Sequence, residues 1–444
     1  MRIILVLLAT TALAACGGSD GGGIASVGSS APATSSSASS SAVVPDKYAQ
    51  FANQTVAKTY VGLGGLQSFS YTVQQSTSAP VPGVAATATT AAIPPIPPVA
   101  QVGPYDGYSQ TSQFYAGNAA IVNSPNVTIT YDPTSAIFTL NATDANAHTS
   151  ATNTFQDPAH RVAGSTLQWG IPQFKLPNTD PVTGQLDQTL YFVQALNGTQ
   201  TATSSDVTTF FYQKPGSTTQ YVTLAGYVRN QTNISIGQVD ANGNYYTSTS
   251  NKLERGAFVY GVATDTSGVP VTGTATFNGN FLATAIINPN VYGVNSAGTS
   301  APTTPTPSYF QWIYGNAATS VDFAKSTIGI QLNGVTYAAL PDPASGTALS
   351  STSPPAQAVG GGATFSATAS GALVKGGNGF TGTFSAASFG ATPTSSAVAV
   401  SIANVSSVNG QFYGPTANEV AGAFRVVGSL PNQRVDILGA FTGK

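Results

Sequence analysis

The chain has 444 residues, of which 7% are charged, and its formal net charge is -2. An average soluble protein carries about 25% charged residues. Because no basic stretch is available to neutralise phosphates, we expect no nucleic-acid partner. Cys16 is the single cysteine, so an internal disulfide is excluded.

The first residues have the pattern of a secretory signal. Arg2 precedes an apolar run at residues 3–9, which is too short to span a bilayer, and small residues lead up to Cys16. Residues 13–16 (LAAC) resemble the lipobox of bacterial lipoproteins. The resemblance implies a signal peptide at 1–15, cleavage before Cys16 and acylation of that residue with palmitate-type chains, which anchor it to the membrane. The alternative is an ordinary secretory signal followed by an incidental thiol.

Residues 16–45 follow the signal as a Gly-, Ser-, Ala- and Thr-rich segment with almost nothing to bury. Such a composition is typical of a flexible tether, and a tether of this length spans about 30 Å root-mean-square. We therefore expect the folded part of the chain to be held clear of the lipid headgroups.

From residue 46 onwards the sequence shows the period of β-strands and no helical period. Apolar and polar residues alternate at 221–228, 363–370 and 397–403. Residues with turn chemistry occur between the alternating runs, at 240–244, 278–279, 376–379 and 409–410. The predicted fold class is therefore all-β, as a sandwich or a barrel.

Two proline-rich segments interrupt the strand pattern, at 80–104 and 340–362. Proline donates no ladder hydrogen bond, so neither segment is expected to form a central strand. The first is either an exposed polyproline loop or a stiff recognition loop. The second is interpreted as a link between strands of the C-terminal domain.

The C-terminal part of the chain carries a family resemblance. Residues 410–415 (GQFYGP), 422–424 (GAF) and 438–444 (LGAFTGK) resemble the closing hairpin of transferrin-binding-protein-like surface lipoproteins. Within this hairpin, Phe412 and Phe424 are expected to face the core, and Glu419 lies where the chain reverses.

Weaker similarities to the same family lie upstream. Residues 255–261 (RGAFVYG) and 273–279 (GTATFNG) look like the first strands of the barrel. Residues 127–132 and 138–140 resemble a strand pair of the family's handle domain.

The resemblance implies an N-terminal β handle domain at 46–204 followed by an eight-stranded antiparallel β-barrel at 205–444. Members of the family are lipid-tethered receptors on the outer-membrane surface that bind a protein or an iron or haem source, often with a TonB-dependent transporter. Full transferrin receptors of this kind have two lobes, whereas this chain has room for one. The alternative function is a structural or adhesive envelope lipoprotein that binds polysaccharide or a neighbouring outer-membrane protein.

The best candidate for a binding surface in the sequence is a set of aromatic residues, and the sequence offers no candidate for catalysis. Phe310, Trp312 and Tyr314 alternate along one strand and form either an exposed anchor patch or a stripe of the barrel core. His148 and His160 are the only histidines, and both are interpreted as loop residues. No catalytic residue, metal site or cofactor is predicted, and the protein is not expected to be an enzyme.

Overall fold

The structure is a computed structural model, and the residues it describes are 47–76, 107–116, 127–144, 149–156, 192–201, 203–216, 218–239, 245–287, 309–337, 359, 361–393, 396–430 and 433–444. The predicted signal peptide, Cys16 and the tether lie outside these residues. So do His148, His160, the segment 80–104 and most of the segment 340–362.

The described residues form an almost entirely β structure, as the alternation of apolar and polar residues predicted. Their strands are β1 (Lys58–Ser76), β2 (Gly107–Ala116), β3 (Val127–Asp132), β4 (Ile137–Asp144), β5 (Thr149–Gln156), β6 (Phe192–Gln200), β7 (Ser204–Gln213), β8 (Val222–Val239), β9 (Tyr245–Gly261), β10 (Thr274–Ile287), β11 (Tyr309–Asp322), β12 (Thr327–Thr336), β13 (Thr364–Leu373), β14 (Gly379–Phe389), β15 (Val398–Ala399), β16 (Ser401–Ile402), β17 (Ser407–Tyr413), β18 (Glu419–Leu430) and β19 (Gln433–Gly443). Helical structure in these residues is limited to α1 (Ala49–Ala52) and a 3-10 turn at Thr266–Gly268. No described helix is long and apolar enough to cross a membrane.

The N-terminal strands form a nine-stranded antiparallel sheet, named here the handle sheet. Its strand order is β5-β4-β3-β1-β9-β8-β7-β6, and β2 pairs with the distal part of β1. Its own core is aromatic and includes Phe138, Phe155, Phe210 and Phe258. The strand pair expected at 127–132 and 138–140 is present as the β3–β4 hairpin.

The C-terminal strands close into a barrel. β10, β11, β12, β13, β14, β17, β18 and β19 pair in a ring, because β19 joins β10 to β18 and β13 also pairs with β14. All of these pairings are antiparallel, so the predicted eight-stranded antiparallel barrel is confirmed. Phe412 and Phe424 are fully buried in its interior, as the resemblance implied.

The boundary between the two sheets differs from the predicted boundary at 204/205. Strands β7, β8 and β9 pair within the handle sheet, and the barrel begins only at Thr274. Residues 255–261 therefore belong to a central handle strand and not to the barrel. The resemblance placed this boundary too early, because a short strand similarity such as the one at 255–261 does not show which sheet supplies the neighbouring strands.

Two predicted turns are strand interiors. Gly279 lies within β10 and Gly410 within β17. A Cβ on Gly279 would lie 2.2 Å from the carbonyl oxygen of Thr442, and one on Gly410 would lie 2.2 Å from the ring of Phe380. Each glycine is thus used for close packing inside the sheet, whereas the glycines at 376–379 form the expected turn between β13 and β14.

Candidate functional site

The predicted aromatic stripe lies between the two sheets. Phe310, Trp312 and Tyr314 are 0%, 3% and 6% exposed, and they pack in one cluster with side chains of the handle sheet. The rings of Trp312 and Phe211 lie 6.0 Å apart with their planes at 65°. The guanidinium of Arg255, also from the handle sheet, lies 5.5 Å from the ring centre of Phe310.

Both interpretations of the stripe are therefore corrected. The three side chains share one face of β11, as alternation predicted, but this face is the outside of the barrel, since Ile313 between them belongs to the interior cluster. The handle sheet covers that outer face, so the stripe is neither a barrel core nor an exposed patch. It joins the two sheets.

A buried carboxylate makes a second connection between the sheets. Glu419 at the start of β18 is 1% exposed, and its oxygens accept backbone N–H bonds from Gln220, Tyr221 and Val222 at 2.6, 2.8 and 3.2 Å. Burial raises the pKa of the Glu419 carboxyl, while the three N–H donors act in the opposite direction. This residue lies at the chain reversal, as predicted, and its role is to hold the entry to β8 against the barrel.

A third connection is made by buried polar groups of β1, β10 and β19. The amide of Gln67 donates to the carbonyl oxygen of Asp436 at 3.3 Å and accepts a bond from the hydroxyl of Thr284 at 2.6 Å. The carboxylate of Asp436 is paired with Arg425 through two bonds of 3.1 and 2.6 Å. Buried polar groups need hydrogen-bond partners inside the protein. The groups of this network have such partners, so the network fixes the two sheets to each other and is not available to a ligand.

A small aromatic pocket opens at the other side of the handle sheet, and we name it the aromatic pocket. Its volume is about 120 Å³. It is lined by Phe51, Ala52, Gln54, Tyr60, Tyr131, Phe138, Tyr212, Lys214, Pro215 and Tyr260. These residues come from α1, the segment after it, β1, β3, β4, β7, β9 and the turn after β7.

The wall of the aromatic pocket is held rigidly. The ring of Phe51 packs edge-on against Tyr60 and Tyr260, at centroid distances of 5.2 and 6.0 Å. The amide of Gln54 donates to the carbonyl oxygen of Tyr131 at 2.8 Å and accepts from the hydroxyl of Tyr60 at 3.3 Å. The position of α1 is therefore fixed by contacts made inside the pocket.

The electrostatics of the aromatic pocket are those of a neutral wall with one cation at its edge. Burial raises the pKa of Tyr60 to about 12 and raises the pKa of Tyr260 well above its ordinary value. Both phenols therefore stay protonated at neutral pH. Lys214 is the one charged residue among those lining the pocket, and it is exposed.

The aromatic pocket has a composition suited to receiving one side chain of a partner protein. Pockets walled by Tyr and Phe accept an apolar or aromatic side chain of a partner protein, and the partner anchors that dominate binding energy are of this type. Its volume is well below the roughly 300–1,000 Å³ of pockets that enclose whole small-molecule ligands. The sequence did not reveal it, because its residues are spread over more than two hundred positions and the aromatic ones among them have the local pattern of core residues.

No group of three or more His, Cys, Asp or Glu side chains able to hold a metal ion occurs among the described residues. His148 and His160 lie outside the described residues.

Comparison with known proteins bears on the barrel. Residues 269–444 match the family described as the C-lobe and N-lobe β-barrels of Tf-binding protein B. This range begins just before β10 and includes every strand of the closed ring. The barrel has a transferrin-binding-protein-like fold. The resemblance noted in the sequence at 410–444 is thereby confirmed.

Solved transferrin-binding-protein structures also align with the chain, at low similarity. A double mutant of transferrin-binding protein B from Haemophilus parasuis is 13% identical, with 88% of this chain and 76% of that chain covered and a TM-score of 0.26. Transferrin-binding protein B from serogroup B Neisseria meningitidis is 12% identical, with 87% and 78% covered and a TM-score of 0.24. Scores this low carry no further argument. No curated protein matches the chain.

Proposed function

We propose that this protein is a lipid-anchored receptor on the outer-membrane surface that captures a protein ligand. The observation that carries the proposal is the match of residues 269–444 to the barrels of Tf-binding protein B, proteins whose name describes the binding of a protein, transferrin. The family consists of binding proteins and not of enzymes. Cys16 is the proposed anchor, and the Gly/Ser-rich segment that follows it is the proposed tether.

The aromatic pocket favours a protein ligand over free haem. A space of about 120 Å³ accommodates one side chain, whereas a whole cofactor needs a site several times larger. An iron or haem source would accordingly be recognised through the protein that carries it. We propose a TonB-dependent outer-membrane transporter as the partner that takes up the cargo, on the basis of the family resemblance alone.

The rim of the aromatic pocket indicates which side chain it takes. Lys214 lines the pocket beside its aromatic wall. Lys58 does not line the pocket, but its ammonium lies 5.5 Å from the ring centre of Tyr60, which does. An apolar side chain flanked by an acidic residue would satisfy both features. Rim charges of this kind mainly raise the association rate, so binding should weaken as salt increases.

The proposal is tested by surface binding on intact cells that express either the wild type or Cys16→Ala. The probes are iron-loaded transferrin, haemoglobin and free haemin, each labelled. We expect one of the two proteins to bind to wild-type cells, and binding to be lost with Cys16→Ala because no other thiol can be acylated. Retention of the variant on the cell surface would contradict the anchor, and binding of haemin alone would contradict a protein ligand.

A further inference from the structure

A second cavity lies where the handle sheet ends above the outside of the barrel. On β10 and β11, outward-facing residues up to Leu282 and Tyr314 are buried beneath the handle sheet. The next outward-facing positions are Asn280 and Asn316, and here the cavity opens. Its volume is about 570 Å³, and the turn before β8 forms its opposite wall with Thr218 and Thr219. We name it the asparagine groove.

The floor of the asparagine groove is a row of amides. Asn280 is paired across the strands with Asn316, and Asn316 with Asn333, so three amides lie side by side on β10, β11 and β12. Adjacent strands are about 4.8 Å apart. The amide nitrogen of Asn280 donates to the amide oxygen of Asn316 at 3.3 Å. Asn278, which is exposed, adds a fourth amide two residues closer to the start of β10.

The row continues as hydroxyl groups around the barrel. Asn333 is paired with Ser366 on β13, which is paired with Ser388 on β14. All the side chains of this row can both donate and accept hydrogen bonds. A ligand whose own groups donate and accept alternately would be matched along its length.

The described strands around the asparagine groove carry almost no charge. Asp322, at the end of β11, is the one charged residue in strands β10 to β14. Among the described residues that line the groove, Lys444 is the single charged one. Exposed sheets normally carry interspersed charges that keep them soluble, whereas the groove and the row beside it are built from Asn, Ser and Thr.

We propose that the asparagine groove binds a neutral polysaccharide. Sugar hydroxyls donate and accept hydrogen bonds as the amides do, and an uncharged chain needs no ionic partner. Phosphate-bearing ligands and anionic lipid surfaces require clusters of Lys or Arg, which the described part of this face does not have. The groove has the volume of a site that encloses several linked rings. This inference does not rest on the proposed receptor function, because the two cavities share no residue.

The test is a titration of the purified protein with neutral hexasaccharides (maltohexaose, cellohexaose and mannohexaose) and with an acidic one, hexagalacturonate. We expect at least one neutral hexasaccharide to bind with a dissociation constant below about 1 mM, in the range of weak specific binding. Asn316→Ala combined with Asn333→Ala should weaken that binding at least about tenfold. The melting temperature should stay unchanged, because both side chains are exposed.

Gln331→Ala is the matched control. Gln331 is an exposed amide on β12, two residues from Asn333, and it does not line the groove. The control should bind like the wild type. Absence of binding to every neutral hexasaccharide, binding of the acidic one alone, or equal affinity in the double variant would overturn the proposal. Protein-ligand capture through the aromatic pocket would be unaffected in each of these cases.

Discussion

At the scale of single residues, several charged side chains of the described part of the chain form ion pairs. Arg229 makes two bonds to the carboxylate of Asp206, at 2.8 and 2.7 Å, and Gln231 donates a third at 2.9 Å. The hydrogen bonds from Arg229 hold the pKa of Asp206 below its ordinary value, against the opposing effect of burial. The sequence contains both residues but could not show that they face each other on β7 and β8.

This pair predicts a pH dependence. A carboxylate whose pKa is lower in the folded state stabilises the fold above its unfolded pKa of about 4, and the contribution is lost as the pH falls through the folded value. Asp206→Asn should therefore lower the melting temperature at pH 7 and have little effect at pH 2. Melting curves of both proteins between these limits test this expectation.

Ser205→Ala is the control for the pH prediction. Ser205 is a neighbour on β7 without a titrating group, so any shift it causes should be the same at every pH. A difference between wild type and Asp206→Asn that is constant with pH would contradict the assignment of the pair.

The stripe on β11 gives a prediction about stability. Trp312 is buried against Phe211 between the sheets, so Trp312→Ala should lower the free energy of unfolding by about 3–5 kcal/mol. Val271→Ala, at a position that is 81% exposed, should leave it unchanged. Denaturant unfolding measures both. Unchanged stability of Trp312→Ala together with weakened ligand binding would show instead that the stripe is accessible.

At the scale of elements, alternation predicted strands well and their partners poorly. In β8, Val222, Leu224 and Val228 face the barrel, and Ala225 and Tyr227 face the handle core, as the pattern at 221–228 required. The same pattern could not assign β7 to β9 to a sheet, because pairing is decided by residues far away in the chain. The pattern also could not show where the two sheets approach each other closely.

Gly65 is an example of such a close approach. A Cβ at this position in β1 would lie 2.6 Å from the side chain of Leu438 in β19. Glycine is required at position 65 because of a barrel strand several hundred positions later in the chain. No local sequence pattern can predict this requirement.

The closing strand is predicted to be essential. β19 pairs with both β10 and β18, so deletion of 435–444 leaves two unpaired edges and opens the barrel interior. We expect the truncated chain to lose its cooperative thermal transition and to bind a hydrophobic dye. Circular dichroism melting and dye fluorescence measure these losses.

A synthetic peptide of residues 433–444 provides the control for the deletion. Supplied in excess, it should restore the transition by adding the missing strand. A truncated chain that melts like the wild type without the peptide would contradict the closed barrel.

At the scale of the whole molecule, the handle sheet and the barrel are interlocked. The stripe, the Glu419 contacts and the Gln67 network all lie between them, and residues 45–444 form one compact unit. A handle ending at residue 204, as the sequence suggested, would leave β7 to β9 on the barrel without their partners. The aromatic pocket belongs to the handle sheet and is open on the side away from this junction, which suits it to ligand capture.

Capture of a protein ligand through the aromatic pocket is the central claim, and a pair of adjacent substitutions tests it most directly. Ala52 lines the pocket, whereas Asn53, the next residue, is exposed and does not. Ala52→Trp should fill the space without removing any wall residue, and Asn53→Trp adds the same ring outside. The measurement is the dissociation constant of each variant for the protein probe that binds to wild-type cells. We predict a loss of at least about a hundredfold for Ala52→Trp, comparable to the removal of one interface hot spot, and no change for Asn53→Trp. Equal affinity of the two variants, with both melting like the wild type, would contradict the claim.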